Sequence, residues 1–200
     1  MIKYLIGIDE VGRGPLAGPL TICAFCVPRN FSQSPFRGIK SSKKLSHSQR
    51  LVWEKLLKNL FIRGEVRYAI SSVSPALIDR VGLSKTTAIA IKRVLKRLEL
   101  NPQQTFVFLD GSLKAPSQYC FQKTIIRGDE KVKIVSCASI LAKERRDRFM
   151  VRIAKRYPKY SFDQHKGYGT KFHKSLIKKH GPSQIHRLSF LEGIIPSKAK

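Results

Sequence analysis

Acidic residues are what this sequence has least of for its size. Its 200 residues hold thirteen Asp and Glu against thirty-nine Lys and Arg, a formal net charge of +26. A compact chain so unbalanced repels itself and seeks a polyanion, so nucleic acid is the leading partner class and an anionic membrane surface the second. Charge alone does not say which nucleic acid, or whether chemistry is done on it. Long hydrophobic runs are missing too, and nothing approaches the ~20 apolar residues needed to span a bilayer. The apolar opening Met1–Ile8 is cut short by Asp9 and Glu10 with no small-residue cleavage site after them, which excludes a secretory signal and points to a cytoplasmic protein. Cysteine is scarce, with four in all. Cys23 and Cys26, three apart in TICAFCV, would face opposite sides of a strand. Cys120 and Cys137 stand alone, and no second CxxC completes a zinc set, so all four read as small hydrophobes in a reducing compartment. There is no internal repeat and no low-complexity segment.

What is present suffices for one domain with a small appendage, since 42% of the residues are apolar. Tyr4–Ile8 reads as a strand ending at the acidic pair, followed by a turn-rich passage through Gly12, Gly14, Pro15, Gly18 and Pro19. Leu20–Val27 reads as a second strand and residues 28–44 as loop. Ser46 and Gln49 form a capping box for a helix carrying Leu51, Val52, Leu56, Leu57 and Leu60. A strand is expected over Glu65–Val73, a short helix from Pro75, and a longer one capped by Ser84 with Ile89, Ile91, Val94, Leu95 and Leu98 inward. Thr105–Leu109 and Lys123–Ile126 are further strands. A helix from Ser136 runs to Tyr157, where Pro158 stops it, with Arg145, Arg148, Arg152 and Arg156 along one face. The order implies an α/β domain over 1–157 and a basic, helical C-terminal extension over 158–200, with frayed ends at Pro196–Lys200.

The few acids then become informative. Asp9, Asp110 and Asp129 each follow a short apolar run and lie beside or close to a glycine. For any one of them, ordinary turn chemistry is explanation enough. For all three, with Glu10 adjacent to the first, convergence at the ends of neighbouring strands is the better reading. Converging carboxylates repel and require a cation, and hard oxygen ligands favour Mg²⁺ or Mn²⁺ over zinc. Two such ions about 3.5–4 Å apart suit phosphodiester cleavage. Glu10 poses a problem, because in a regular strand it points away from Asp9. It can join the same site only if the strand ends or twists there.

At this point the chain resembles ribonuclease HII. The segments GIDEVGRGPLAGP, SKKLS, FLDG, RGDEKV, SCASILAKERRDR, HKGYGT and HRLSF follow that family's order, from about Ile6 to Phe190. The resemblance implies an RNase H-like fold, with a mixed central sheet flanked by helices and a C-terminal helical extension. It implies hydrolysis of RNA in RNA–DNA hybrids and incision 5′ to a single ribonucleotide in duplex DNA, leaving 3′-hydroxyl and 5′-phosphate ends, with Mg²⁺ or Mn²⁺ required. The four metal-binding, catalytic carboxylates match Asp9, Glu10, Asp110 and Asp129. Gly12, Arg13 and Gly14 match a motif whose backbone tests for the 2′-hydroxyl. Tyr168 matches the tyrosine that meets the neighbouring sugar, and Lys43 and Lys143 fall where phosphate contacts are made. Asp147 is expected to pair with Arg145, Arg146 or Arg148. His165, His173, His180 and His186 are expected to be hydrogen-bonded or phosphate-facing. The family usually has Asp-Ser-Lys where this chain has Ser41-Ser42-Lys43, with Ser42 read as the replacement for the acid, and Gly82 stands where Asn is common.

Three rival readings remain. A ribonuclease HIII-like hybrid nuclease shares the acidic constellation but usually carries an extra N-terminal domain, for which the first strand leaves no room. A non-catalytic, basic nucleic-acid-binding protein would tolerate loss of Asp110. A resolvase- or integrase-like nuclease would cut branched, all-DNA substrates. The preferred reading is a monomeric type 2 ribonuclease H.

Overall fold

The computed structural model describes residues 1–195, so the expected fraying of Pro196–Lys200 lies outside the described residues. Five strands form one mixed sheet in the order β3-β2-β1-β4-β5. β1 (Tyr4–Val11), β2 (Leu20–Pro28) and β3 (Arg67–Val73) make an antiparallel meander, while β4 (Thr105–Asp110) and β5 (Gln122–Ile125) add parallel to β1. Each parallel step needs a crossover. Helix α1 (His47–Ile62) lies between β2 and β3, and α2 (Pro75–Leu98) between β3 and β4.

β2 is buried on both faces along nearly its whole length, which explains its unbroken apolar run. Its alternation sends Ile22, Ala24 and Cys26 to one core with Ala90, Ile91, Val94, Leu95 and Leu98 of α2. Cys23, Phe25 and Val27 go to the other, with Leu57 and Leu60 of α1 and the long helix α4 (Lys133–Arg156). The two cysteines thus do face opposite sides. α4 lies directly on β1 at Gly7, where an added Cβ would overlap the backbone of Ile134 and Val135.

Three differences from the expected boundaries bear on the site. β1 continues three residues past Ile8 because β2 keeps pairing with it, Glu10 opposite Ile22 and Val11 opposite Thr21. The expected short and longer helices of α2 are both present, the first capped by Ser74, whose hydroxyl accepts the Leu77 N–H, but they join at a kink at Gly82 (φ 79°, ψ 162°) rather than at a cap on Ser84. α4 starts at Lys133 instead of Ser136, directly after the short helix α3 (Gly128–Lys131). Beyond α4, α5 (Phe162–His165) and α6 (Lys171–His180) fold back onto the glycine-rich passage after β1. Leu16 N–H donates to Gly167 O (2.9 Å), Gly18 N–H to Ile185 O (2.8 Å) and Arg187 N–H to Leu16 O (2.8 Å).

Candidate active site

The parallel pairing of β1 with β4 runs from Tyr4 opposite Thr105 to Ile8 opposite Leu109 and stops. Asp9 and Asp110 are the next residues on each strand, so the register sets them side by side where β4 ends. Gly111 (φ 59°) then turns the chain away. Past Ile8, β1 has a neighbour only on its β2 side, and the vacated edge admits a second carboxylate. Asp9, Glu10 and Asp110 each present an oxygen within 4.8 Å of the others. The strand therefore does not end at Glu10. It loses one partner there, and Asp9 Oδ1 turns back to accept the Glu10 N–H (2.8 Å).

Asp129 reaches the region differently from the expectation. It is not at a strand end but in α3, buried, and α3 is docked on β4 through Gly128 N–H to Asp110 Oδ1 (2.6 Å). Its carboxylate stands outside the group of three. Asp129 Oδ2 accepts the hydroxyl of Ser41 (2.5 Å) and faces the Lys43 ammonium at 3.4 Å. Matched residue against residue, Asp-Ser-Lys sets the missing acid at Ser41, not Ser42. Ser42 instead shares a hydrogen bond with Ser139 of α4 (2.7 Å). An acid at position 41 would confront Asp129, whereas the serine hydroxyl holds it.

The electrostatics mark the group as short of positive charge. Burial pushes the Asp9 carboxyl well above the usual carboxylate range; the Glu10, Asp110 and Asp129 charges add to this, and a Ser139 hydrogen bond opposes it. Burial also raises Glu10, opposed by Arg13, whose guanidinium lies 3.5 Å away. Glu10 Oε2 is buried with no hydrogen-bond partner. Crowded oxygen donors with an orphaned lone pair fit a hard divalent cation.

The Gly12–Gly14 loop follows at once, and two buried arginines that the sequence reading did not single out brace it. Arg187 donates to the carbonyls of Gly12 (2.6 Å), Arg13 (2.8 Å) and Gly18 (2.8 Å). Arg146 donates to Pro19 O (3.0 Å) and Ala17 O (3.1 Å). Both lie in motif segments, HRLSF and SCASILAKERRDR, but nothing in a basic sequence separates two buried arginines from the thirty-seven other Lys and Arg. Gly12 (φ 89°) has no space for a Cβ, which would overlap Arg146 Nε and sit 2.7 Å from Pro19 O. Gly14 has nothing within 4 Å of that position. The first glycine is thus required by packing and the second leaves backbone open. Tyr168, 39% exposed, stands beside them with the Arg146 guanidinium 5.5 Å and the Lys143 ammonium 5.9 Å from its ring centre.

Lys143 pairs with Asp147 (2.9 Å), and Arg50 of α1 approaches Asp147 at 3.8 Å. Asp147 therefore pairs with Lys143 and Arg50 and not with Arg145, Arg146 or Arg148. Burial works against the Lys43 ammonium, but Asp129 and Asp9 raise its pKa on balance. His165, His173 and His186 are buried and His180 is exposed. His173 and His186 join Nε2 to Nε2 at 3.1 Å, and the His165 and His173 rings stack at 4.1 Å. The three buried rings are hydrogen-bonded and cannot face phosphate.

A mixed sheet in this strand order, with carboxylates gathered where β1 and β4 part, defines a carboxylate-centred nuclease of RNase H-like fold. Comparison with known proteins makes this specific. A family model described as Ribonuclease HII matches residues 6–192. A ribonuclease HII of Caldicellulosiruptor bescii is 40% identical over 193 residues, 96% of this chain and 89% of the relative. The crystal structure of ribonuclease H2 from Pyrococcus horikoshii is similar with a TM-score of 0.71 at 25% identity, covering 96% of each chain. Bst-RNase HIII, solved in complex with Mn²⁺, shares the fold at 19% identity and a TM-score of 0.71, covering 94% of this chain and 67% of that one. The chain belongs to the ribonuclease HII family. It is a ribonuclease H, a metal-dependent hydrolase. No helix of the described residues is long and apolar enough to cross a membrane.

Proposed function

We propose that this protein incises duplex DNA on the 5′ side of a single embedded ribonucleotide, besides hydrolysing RNA in RNA–DNA hybrids, and leaves 3′-hydroxyl and 5′-phosphate ends. The observation that carries the proposal is the junction of two features within six residues. Asp9 and Glu10 meet Asp110 in one carboxylate group, and the open backbone at Gly14 follows directly. Asp9, Glu10 and Asp110 would hold the divalent ions, Mg²⁺ or Mn²⁺, with Asp129 completing the set once its contact with Lys43 loosens. Two ions bound there supply an activated water and stabilisation of the departing 3′-oxygen.

The protein's own groups do the rest. The Gly12–Gly14 backbone, clamped from behind by Arg187 and Arg146, approaches the minor groove and tests for a 2′-hydroxyl, the group that separates RNA from DNA. Arg13, exposed and only loosely held by Glu10, is free to take a phosphate once Glu10 binds a cation. Tyr168, backed by two cations, offers its outer face to the adjacent sugar. Lys43 and Lys143 border the strand and shed their carboxylate partners for phosphates. In this reading 1–157 is the catalytic body and 158–200 an extension that fixes Tyr168 against it.

The test is a DNA duplex holding one ribonucleotide, incubated with purified protein and Mg²⁺ or Mn²⁺. The expected result is one cut on the 5′ side of that residue, lost in Asp9→Asn and Asp110→Asn. Absence of the cut in wild type, or full activity in Asp9→Asn, would sink the proposal.

A further inference from the structure

The proposed function leaves one large cavity unused. An open groove of about 690 Å³ lies between the start of α1 and the second half of α4. α4 lines it with Glu144, Asp147, Arg148, Val151, Arg152 and Lys155, whose spacing of three and four residues defines one helix face. α1 contributes Arg50 and His47, and the loop before Tyr168 contributes Lys166. Five permanent cations thus surround two carboxylates.

Those two carboxylates are already engaged. Glu144 is fully buried and accepts from Arg50 Nε (2.6 Å), and Asp147 is held by Lys143. Arg148 forks onto Glu54 (2.6 and 2.5 Å). Arg152 and Lys155, both exposed, have no ion-pair partner among the described residues. The groove therefore carries unspent positive charge at the end away from the carboxylate group.

Its near end is linked to the candidate active site through the first turns of α4. Asp147 binds Lys143, which lies against the Tyr168 ring, and Ser139, one turn before Lys143 on the same helix, shares a hydrogen bond with Ser42, whose neighbour Ser41 holds Asp129. At about 1.5 Å per residue, Arg152 and Lys155 stand roughly 20–24 Å along α4 from Ser139. A duplex rises about 3.4 Å per base pair, so an arm following α4 reaches them about six or seven base pairs from the cut.

We infer that this groove is a second binding site, which takes the phosphodiester backbone of one duplex arm about six base pairs from the scissile phosphate. The inference rests on the duplex-substrate reading above, but its test is separable from it. Fluorescence anisotropy in EDTA, where nothing is cut, measures affinity for ribonucleotide-containing duplexes with arms of about four or about twelve base pairs. Wild type is expected to bind the longer duplex at least about tenfold more tightly. The variant Arg152→Gln/Lys155→Gln should lose most of that advantage, with the slope of log affinity against log salt reduced by about two. Its affinity for the short duplex and its incision rate at saturating substrate should match wild type. The same charge change on α2, across the sheet from the groove, in Lys92→Gln/Lys96→Gln, should leave the length advantage intact. An unchanged length advantage in the groove variant, equal weakening on both lengths, or an equal loss in the α2 variant would each overturn the inference. If wild type cuts neither duplex, the incision reading fails, while the length dependence still decides the groove.

Discussion

Asp9 sits at the centre of an unfavourable arrangement that a cation would relieve. Desolvation and its acidic neighbours raise its pKa, so the protein without metal stores repulsion that Asp9→Asn removes. That variant keeps an oxygen to accept the Glu10 N–H. It should melt higher than wild type without metal, by on the order of 1 kcal/mol. Added Mn²⁺ should raise the melting temperature of wild type, by about 2.7 kcal/mol of stability at a hundred times the Kd, and leave the variant unmoved. Calorimetric scans with and without metal check both. The glycines of the same loop separate packing from approach. Gly12→Ala forces a Cβ into Arg146 and Pro19 at a positive φ and should cost about 2–4 kcal/mol in urea denaturation. Gly14→Ala meets nothing and should stay within about 0.5 kcal/mol while weakening substrate affinity.

Among the elements, the C-terminal segment is the one whose role sequence composition conceals. It looks like a basic tail, yet it carries Arg187, whose guanidinium satisfies three carbonyls of the loop after β1. Burial, and after it the Arg146 charge, bring the Arg187 pKa down to about 9, still charged at neutral pH. Arg187→Met leaves those buried carbonyls without donors and should cost at least ~3 kcal/mol. Its loop amides should exchange faster in hydrogen-exchange measurements while those of β2 stay protected. α4 acts at both ends. Its first turns cover Gly7 and carry Ser139 to the carboxylates, and its later turns carry the groove cations. The motif pattern made α4 legible as a helix. The spacing put Arg145 and Arg148 on one outward basic face, but that Arg146, off that face, is buried and braces a loop was not legible, because a basic helix in a basic chain has little apolar contrast to mark an inward arginine.

For the whole molecule, the buried imidazoles set an acid limit. His173 and His186 are held down to about 4, chiefly by burial, against about 6.5 when unfolded. The unfolded chain therefore binds more protons between those values. The stability contributed by the neutral pair is fully present above about pH 6.5 and is lost as pH falls through about 4, on the order of a few kcal/mol in total. Melting temperature should drop across that window, and His173→Gln/His186→Gln should flatten the drop. The charge of +26 acts over the same scale. Raising salt should stabilise the free protein by screening self-repulsion and weaken its hold on nucleic acid.

The sequence by itself determined the strands and helices, because their hydrophobic periods are local. It also determined the carboxylates Asp9 and Asp110, because each follows an apolar run and borders a turn. Tertiary structure decided how they meet. The pairing of β1 with β4 stops at Ile8 and Leu109, one residue short of Asp9, and that vacancy admits Glu10 from an unbroken strand. Asp129 comes from a helix docked on β4, held by Ser41, which no spacing in the chain records. Arg146 and Arg187 differ from the other cations only in being buried, and burial is a property of the packed chain. Convergence and burial depend on contacts between residues distant in sequence, so they arise only once the sheet has closed.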